Sequence, residues 1–256
     1  MEFKGSPYSY QKSASDKAIN SMVAGFDYLM RTYSEHWYGG DQTTVTVFNE
    51  NPYFRIWWEP TQSGIRPDAV IETDGAVSLE STTGIVEDTA TFQQKYDAYA
   101  FREFHTLQGH PNQWDAASRA RFTTILDFLI ARGARFTTPW QYYKQLRGIT
   151  DTTPPSVPSG VVLTRIDAKQ IRASWSPSVD AESAVDGYAV FRNEKFVGMS
   201  PTSPYDDVSS TTLMDSDTYR VRAINRANLW SGKSPPVSIA GTASGTPRPP
   251  TNLRLK

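Results

Sequence analysis

The chain of 256 residues has no cysteine, so disulfides and thiolate metal sites are excluded. Histidine is scarce: only His36, His105 and His110 are available as imidazole bases or ligands. Charge of neither sign dominates. Lys and Arg number 26 and Asp and Glu 27, a formal net charge of −1. That balance gives no electrostatic case for nucleic acid or an anionic membrane as partner. No apolar run approaches the roughly 20 residues of a membrane span. The first residues, Met1 to Ser6, contain no apolar signal region. The chain is therefore expected to begin at a mature N-terminus or at an artificial or truncated start. There is no Gly-x-Ser-x-Gly elbow for a serine hydrolase and no glycine-rich loop ahead of a Lys-Ser/Thr pair.

Aromatic residues, by contrast, are plentiful. They make up 12% of the chain, with seven Trp and thirteen Tyr, which suits large cores or a surface that stacks on sugar rings. Proline is concentrated as punctuation. Pro154, Pro155 and Pro158 fall within Asp151 to Pro158, where missing amide donors and extended backbone make a stiff linker. A similar stretch runs from Gly241 to Pro250. Three parts follow: residues 1–150, 151–241 and 242–256.

Helical and strand-like patterns alternate before the linker. Ile19, Met22, Val23, Phe26 and Met30 predict one face of a helix from about Ser15 to Tyr33. The β-branched run Thr43 to Phe48 predicts a strand, as do Tyr53 to Trp58, Phe101 to Gln108 and Ala134 to Thr137. Asp88 is placed to cap a helix carrying Phe92, Tyr96 and Tyr99. Asp115 is placed to cap another with Phe122, Ile125, Leu126, Leu129 and Ile130 as its stripe, ended by Gly133. Thr138-Pro139 opens a last helix. The order implies an α/β layer with partly parallel pairing. After the linker come short alternating strands with frequent turns: Val161 to Leu163, Ile171 to Trp175, Gly187 to Arg192, Lys195 to Met199 and Thr218 to Ile224. That is the pattern of a β-sandwich.

Several residues carry the family resemblance of the second half. They are the Pro-rich entry, Trp175, Gly187-Tyr188-x-Val190-x-Arg192-Asn193, and Leu213 ahead of Tyr219-Arg220-Val221-Arg222-Ala223. About 90 residues resemble the fibronectin type III modules of bacterial extracellular enzymes, with Trp175 and Tyr188 filling the space between the sheets. Tyr219 can place its ring inside and its hydroxyl near the edge. At Ala227 to Trp230 the usual glycine-containing turn is missing; Leu229 and Trp230 form either a small exposed contact patch or a locally altered turn with Trp230 partly packed, the latter being expected. Pro250 to Leu255 mirrors Pro158 to Leu163 and looks like the first strand of another module.

In the first half, Leu107-Gln108-Gly109-His110-Pro111-Asn112-Gln113-Trp114 and Gly133-Ala134-Arg135-Phe136-Thr137-Thr138-Pro139 flank the best helix. This segment resembles the C-terminal end of NodB-like polysaccharide deacetylases. The resemblance implies a partial or degenerate β/α barrel, hydrolysis of acetyl groups on a glycan, and His110 as the acid that protonates the leaving oxygen. It also implies a divalent metal, zinc or cobalt, if the chain is catalytic. The family's Thr-Phe-Asp-Asp motif and His-x-x-x-His pair are absent here, so the metal ligands are unknown.

On the residues alone, His110 at a strand end can reach a substrate or bond a loop backbone. His105 and His110 would face opposite sides of a regular strand, and His36 suits a helix C-terminus. Trp57 and Trp58 must face opposite sides of one strand. Trp58, Trp114 and Trp140 are the candidates for sugar stacking, against core packing for each. Asp180, Glu182, Asp186, Asp206 and Asp207 suit turns, with calcium conceivable. The expected partner is a polysaccharide and the expected place secreted or cell-surface, of bacterial type. Two other readings stand beside the deacetylase: a non-catalytic glycan-binding or adhesion module with a fibronectin type III spacer, and a structural fragment.

Overall fold

The computed structural model describes residues 7–34, 42–59, 70–71, 77–84, 88–98, 105–108, 112 and 114–242. The chain divides into two compact units: Met1–Ile19 with Leu29–Gly148, and Asn20–Tyr28 with Ile149–Lys256. Among the described residues no helix is long and apolar enough to cross a membrane.

Helix α1 covers Tyr8–Phe26, starting and ending earlier than the apolar spacing predicts. Its buried positions are Gln11, Ser15, Ile19 and Val23, one every fourth residue, whereas Phe26 is exposed. The helix stops because Asp27 turns left-handed at φ 55°, donating its amide to Val23 O at 3.1 Å. Strand β1, Thr32–Ser34, follows.

The β-branched run after it is helix α2, Gln42–Glu50, not the strand its composition predicts. Thr44, Val47 and Phe48 are the buried positions, spaced three and four apart. Phe48 stacks on Phe54 at 5.9 Å, and both meet the Tyr33 ring edge-on. Packing of that face overrides strand propensity, which is a weak and context-dependent preference.

Strands β2 (Ile56–Glu59), β3 (Val70–Ile71), β4 (Val77–Gly84) and β5 (Thr106–Gln108) complete the first sheet. Its order is β1-β2-β4-β3, with β5 also on β4. The β1–β2, β2–β4 and β4–β5 pairs are parallel and β3–β4 antiparallel. Among the described residues this sheet is open and forms no closed barrel, so the partial or degenerate β/α barrel that the deacetylase resemblance implies finds no support in them.

Helix α3, Thr89–Ala98, is capped by Asp88, whose Oδ1 accepts from Thr91 N at 3.0 Å. Helix α4, Ala116–Ala131, is capped by Asp115 through Ser118 N at 2.7 Å. Phe92, Ile125 and Leu129 form the core between them, joined by Tyr96 and Phe128. Ile130, expected on the buried stripe, is exposed. Helix α5, Pro139–Leu146, begins with a complete capping box, Thr138 and Gln141 bonding each other's backbone amides. Residues Ala134 to Thr137 are irregular rather than a strand.

The second unit contains two three-stranded antiparallel sheets. One has the order β10-β7-β6, from β6 (Ser159–Asp167), β7 (Gln170–Ser176) and β10 (Tyr205–Val208). The other has the order β11-β8-β9, from β8 (Val185–Arg192), β9 (Lys195–Ser200) and β11 (Tyr219–Asn225). Leu163, Ile171, Ala173 and Trp175 from the first sheet share one core with Tyr188, Val190, Tyr219, Val221 and Ala223 from the second. The sheets therefore face each other as a sandwich. Trp175 and Tyr188 lie across that interface with ring centroids 5.1 Å apart. This is the architecture that the fibronectin type III resemblance implies.

Two turns show how the sequence manages without glycine. Asn193 and Glu194, at φ 50° and 65°, make a two-residue hairpin turn between β8 and β9. Asn228 takes φ 70° in the turn after β11, the place where glycine was expected. Trp230 is half-buried within this unit. Its Nε1 donates to Asp27 O at 2.8 Å and the Arg222 guanidinium lies 4.5 Å over its ring. Pro250 to Leu255 lie outside the described residues.

Candidate functional site

The structure separates the aromatic candidates. Trp140 is 8% exposed, stacked on Tyr143 at 4.9 Å with Arg31 5.2 Å over the ring. Stacking on a sugar needs an open ring face, and Trp140 has none to spare: it is a core residue. Trp114 is half-buried and tilted against Phe122 at 4.9 Å. Trp58 lies on β2, and its side chain is outside the described residues, as are His36 and His110. His105 is half-buried and stacks on Tyr96 at 4.8 Å.

Among the described residues no group of three His, Cys, Asp or Glu side chains could hold a metal ion. They supply no ligand set for zinc or cobalt. The sandwich acids are engaged elsewhere. Asp180 Oδ1 accepts from the amides of Glu182, Ser183 and Ala184, and Asp206 pairs with Arg172. Asp207 takes Arg192 and Tyr219. Asp180 thus has the turn role weighed against calcium, whereas Asp206 and Asp207, expected in a loop, lie on β10 and form ion pairs.

A different feature stands out where α4 ends. Gly133, at φ 77°, stops the helix; its amide reaches Ile130 O at 2.9 Å and that of Ala134 reaches Leu129 O at 3.0 Å. The chain then runs irregularly to the Thr138 cap. Beside this connection lies a groove of about 520 Å³, within the usual size range of small-molecule pockets. Tyr96, Arg132, Arg135, Phe136, Thr137 and Gln145 are among its walls.

Each wall has a distinct chemistry. Arg132 is fixed: it forks onto Asp97 at 2.7 and 3.1 Å and lies 4.9 Å over the Phe128 ring. Phe136 is 60% exposed, an aromatic face left open in a concavity. Arg135 and Thr137 flank it and are exposed. The groove thus offers a ring platform, a guanidinium, hydroxyls and an amide, the groups that recognise sugars by stacking and hydrogen bonding.

Sequence reasoning missed Arg135 and Phe136 as site residues because Ala134 to Thr137 were expected to form a strand. One signal was available: a single aromatic, Phe136, between a helix-ending glycine and a helix-opening Thr-Pro has no element of its own to bury it.

No family model matches the chain. Over 90 residues it is 33% identical to exoglucanase B of Cellulomonas fimi, covering 35% of this chain and 8% of that enzyme. It is 31% identical over 96 residues to an alpha-amylase of Niallia circulans, 38% of this chain and 7% of that one. It is 32% identical over 108 residues to chitinase A1 of Niallia circulans, 40% of this chain and 15% of that enzyme. The chain spans well under a quarter of the length of each. Among solved structures, the spore cortex lytic enzyme SleM of Clostridium perfringens matches 33% of this chain and 28% of its own at 18% identity and a TM-score of 0.29.

Proposed function

We propose that this chain is an accessory, glycan-contacting part of a secreted bacterial carbohydrate-active enzyme, with the fibronectin type III-like sandwich as its joining module. The observation that carries this reading is the nature of the shared stretch. By name, an exoglucanase, an alpha-amylase and a chitinase act on unlike polysaccharides, yet each shares a segment of 90 to 108 residues with this chain. That segment takes only 7 to 15% of their lengths. A short segment indifferent to the substrate belongs to a module that joins or positions, since catalytic specificity resides in the site and not in the fold that carries it. The groove beside Phe136 supplies the glycan contact in the other unit.

Affinity electrophoresis of the full chain tests this, in gels containing soluble starch, glycol chitin, hydroxyethylcellulose or polygalacturonate. Retardation by at least one polymer, weakened by Phe136→Ala, is expected. Free migration in all four would overturn the proposal. A parallel assay addresses the deacetylase reading that the Leu107 to Trp114 motif suggests. Acetate release from acetylated chitooligosaccharides, dependent on zinc or cobalt and lost in His110→Ala, would make the chain an enzyme instead.

A further inference from the structure

The groove is not chemically neutral. Of its charged walls, Arg132 is already compensated by Asp97, with both guanidinium nitrogens on the two carboxylate oxygens. Arg135 has no ion-pair or hydrogen-bond partner among the described residues, and it is exposed. Among the described residues no carboxylate lines the groove. One uncompensated guanidinium therefore sits next in sequence to the open Phe136 ring, in a groove that already presents hydroxyl and amide groups.

We infer that this groove prefers an anionic sugar, specifically a pyranose bearing a carboxylate, as in uronic acid residues. The inference rests on the glycan-contacting reading above and narrows it. Phe136 would take the apolar face of the ring. Arg135 would take the carboxylate, whose planar geometry matches the guanidinium fork, and the ring hydroxyls would face Thr137, whose own hydroxyl meets Gln141 Oε1 at 3.1 Å, and the neighbouring Gln145. Long-range attraction cannot be the source of such a preference. The whole chain carries a formal charge of −1, so selectivity for an anion has to be local.

The test uses the full chain in gels containing polygalacturonate, its methyl ester, hydroxyethylcellulose or dextran sulfate, with Arg135→Gln and Phe136→Ala beside the parent. Both substitutions lie at exposed positions, and unchanged urea midpoints establish that the variants are folded. The parent is expected to bind polygalacturonate about tenfold or more tightly than the methyl ester, because a charge-assisted fork is lost on esterification. Arg135→Gln should abolish that ratio while leaving any binding to the ester, and Phe136→Ala should weaken both. Equal binding of acid and ester, or a ratio untouched in Arg135→Gln, overturns the carboxylate preference but leaves a glycan groove standing. Retardation by dextran sulfate equal to that by polygalacturonate would reduce it to unspecific anion attraction. Free migration in every gel removes both the inference and the reading beneath it.

Discussion

Tyr219 donates its phenolic proton to Asp207 Oδ2 at 2.7 Å, joining the two sheets of the sandwich by one buried hydrogen bond. Tyr219 is on β11 and Asp207 on β10, which belong to opposite sheets. The hydroxyl is buried, and its partner sits on β10, an outer strand of its sheet. Arg192, on β8, reaches the same carboxylate oxygen at 2.6 Å. Burial first, and then the hydrogen bond to Asp207, push the Tyr219 phenol well above its ordinary pKa.

Removing the carboxylate strands both partners. Asp207→Ala should cost about 3–5 kcal/mol, the range for breaking a buried pair by deleting one member. Tyr219→Phe, which leaves the Arg192 pair in place, should cost about 1–2 kcal/mol. Urea unfolding of the full chain measures both. Equal small losses would mean that the acid is solvated and the sheets are held by apolar burial alone.

Asn225 organises the entry to the sandwich. It is fully buried, and its Nδ2 faces Asp151 Oδ2, Thr153 O and Asp180 Oδ2 at 2.8 to 2.9 Å. Burial alone would raise the Asp151 carboxyl, but hydrogen bonds from Ser183 and Thr153 outweigh it and hold it below the usual range. A depressed acid contributes stability above its unfolded value, near pH 4, and loses it as pH falls through the folded value. Asn225→Asp reverses that sign by placing a third carboxylate beside two. The variant should be several kcal/mol less stable than the parent at pH 7, and about 2 kcal/mol of that gap should close by pH 4. Urea midpoints across pH 4 to 7 decide it; a constant gap would show that the new acid is protonated throughout.

The sandwich was legible because each strand states its own faces. Ile171, Ala173 and Trp175 alternate inward along β7, and Tyr188 and Val190 do the same along β8. Strand β10 was missed because Asp206-Asp207 looks like solvated loop. In fact one acid points out to Arg172 and its neighbour in to Tyr219, the alternation of a strand written in carboxylates. The first unit was harder. Thr43 to Phe48 has strand composition but helical spacing, and the aromatic cluster with Tyr33 and Phe54 decides the outcome. The groove was illegible for a related reason: it is lined by Ala134 to Thr137, which are irregular where composition predicts a strand.

Tyr205 predicts the alkaline limit of the sandwich. Burial, reinforced by the Asp207 charge, pushes its phenol up to about 12, and its hydroxyl donates to Val197 O at 2.9 Å. Between the ordinary value near 10 and about 12, the unfolded chain ionises while the folded one stays neutral, so stability falls as pH rises. Half-burial limits the loss to about 1–2 kcal/mol. Tyr205→Phe should flatten the slope of stability against pH from 10 to 12, leaving the share due to Tyr219. An unchanged slope would assign the whole effect elsewhere. The same ring explains Gly198: a Cβ there would lie 2.8 Å from Tyr205 Cζ, so Gly198→Ala should cost about 1–3 kcal/mol at neutral pH.

Trp140 and Phe136 should part company when stability and glycan retention are measured on the same variants. Trp140 is packed between Tyr143 and Arg31, and its buried Nε1 has no hydrogen-bond partner among the described residues. Trp140→Ala should therefore cost about 3–5 kcal/mol, while Trp140→Phe, which also removes an unpaired donor, should cost far less. Phe136→Ala removes an exposed ring and should change stability by less than about 0.5 kcal/mol. Retention in polysaccharide gels should fall in Phe136→Ala and stay at the parent value in Trp140→Phe. If Trp140→Phe kept its urea midpoint yet lost retention, the ring would be reading sugar from within the core, and the groove would have to extend to it.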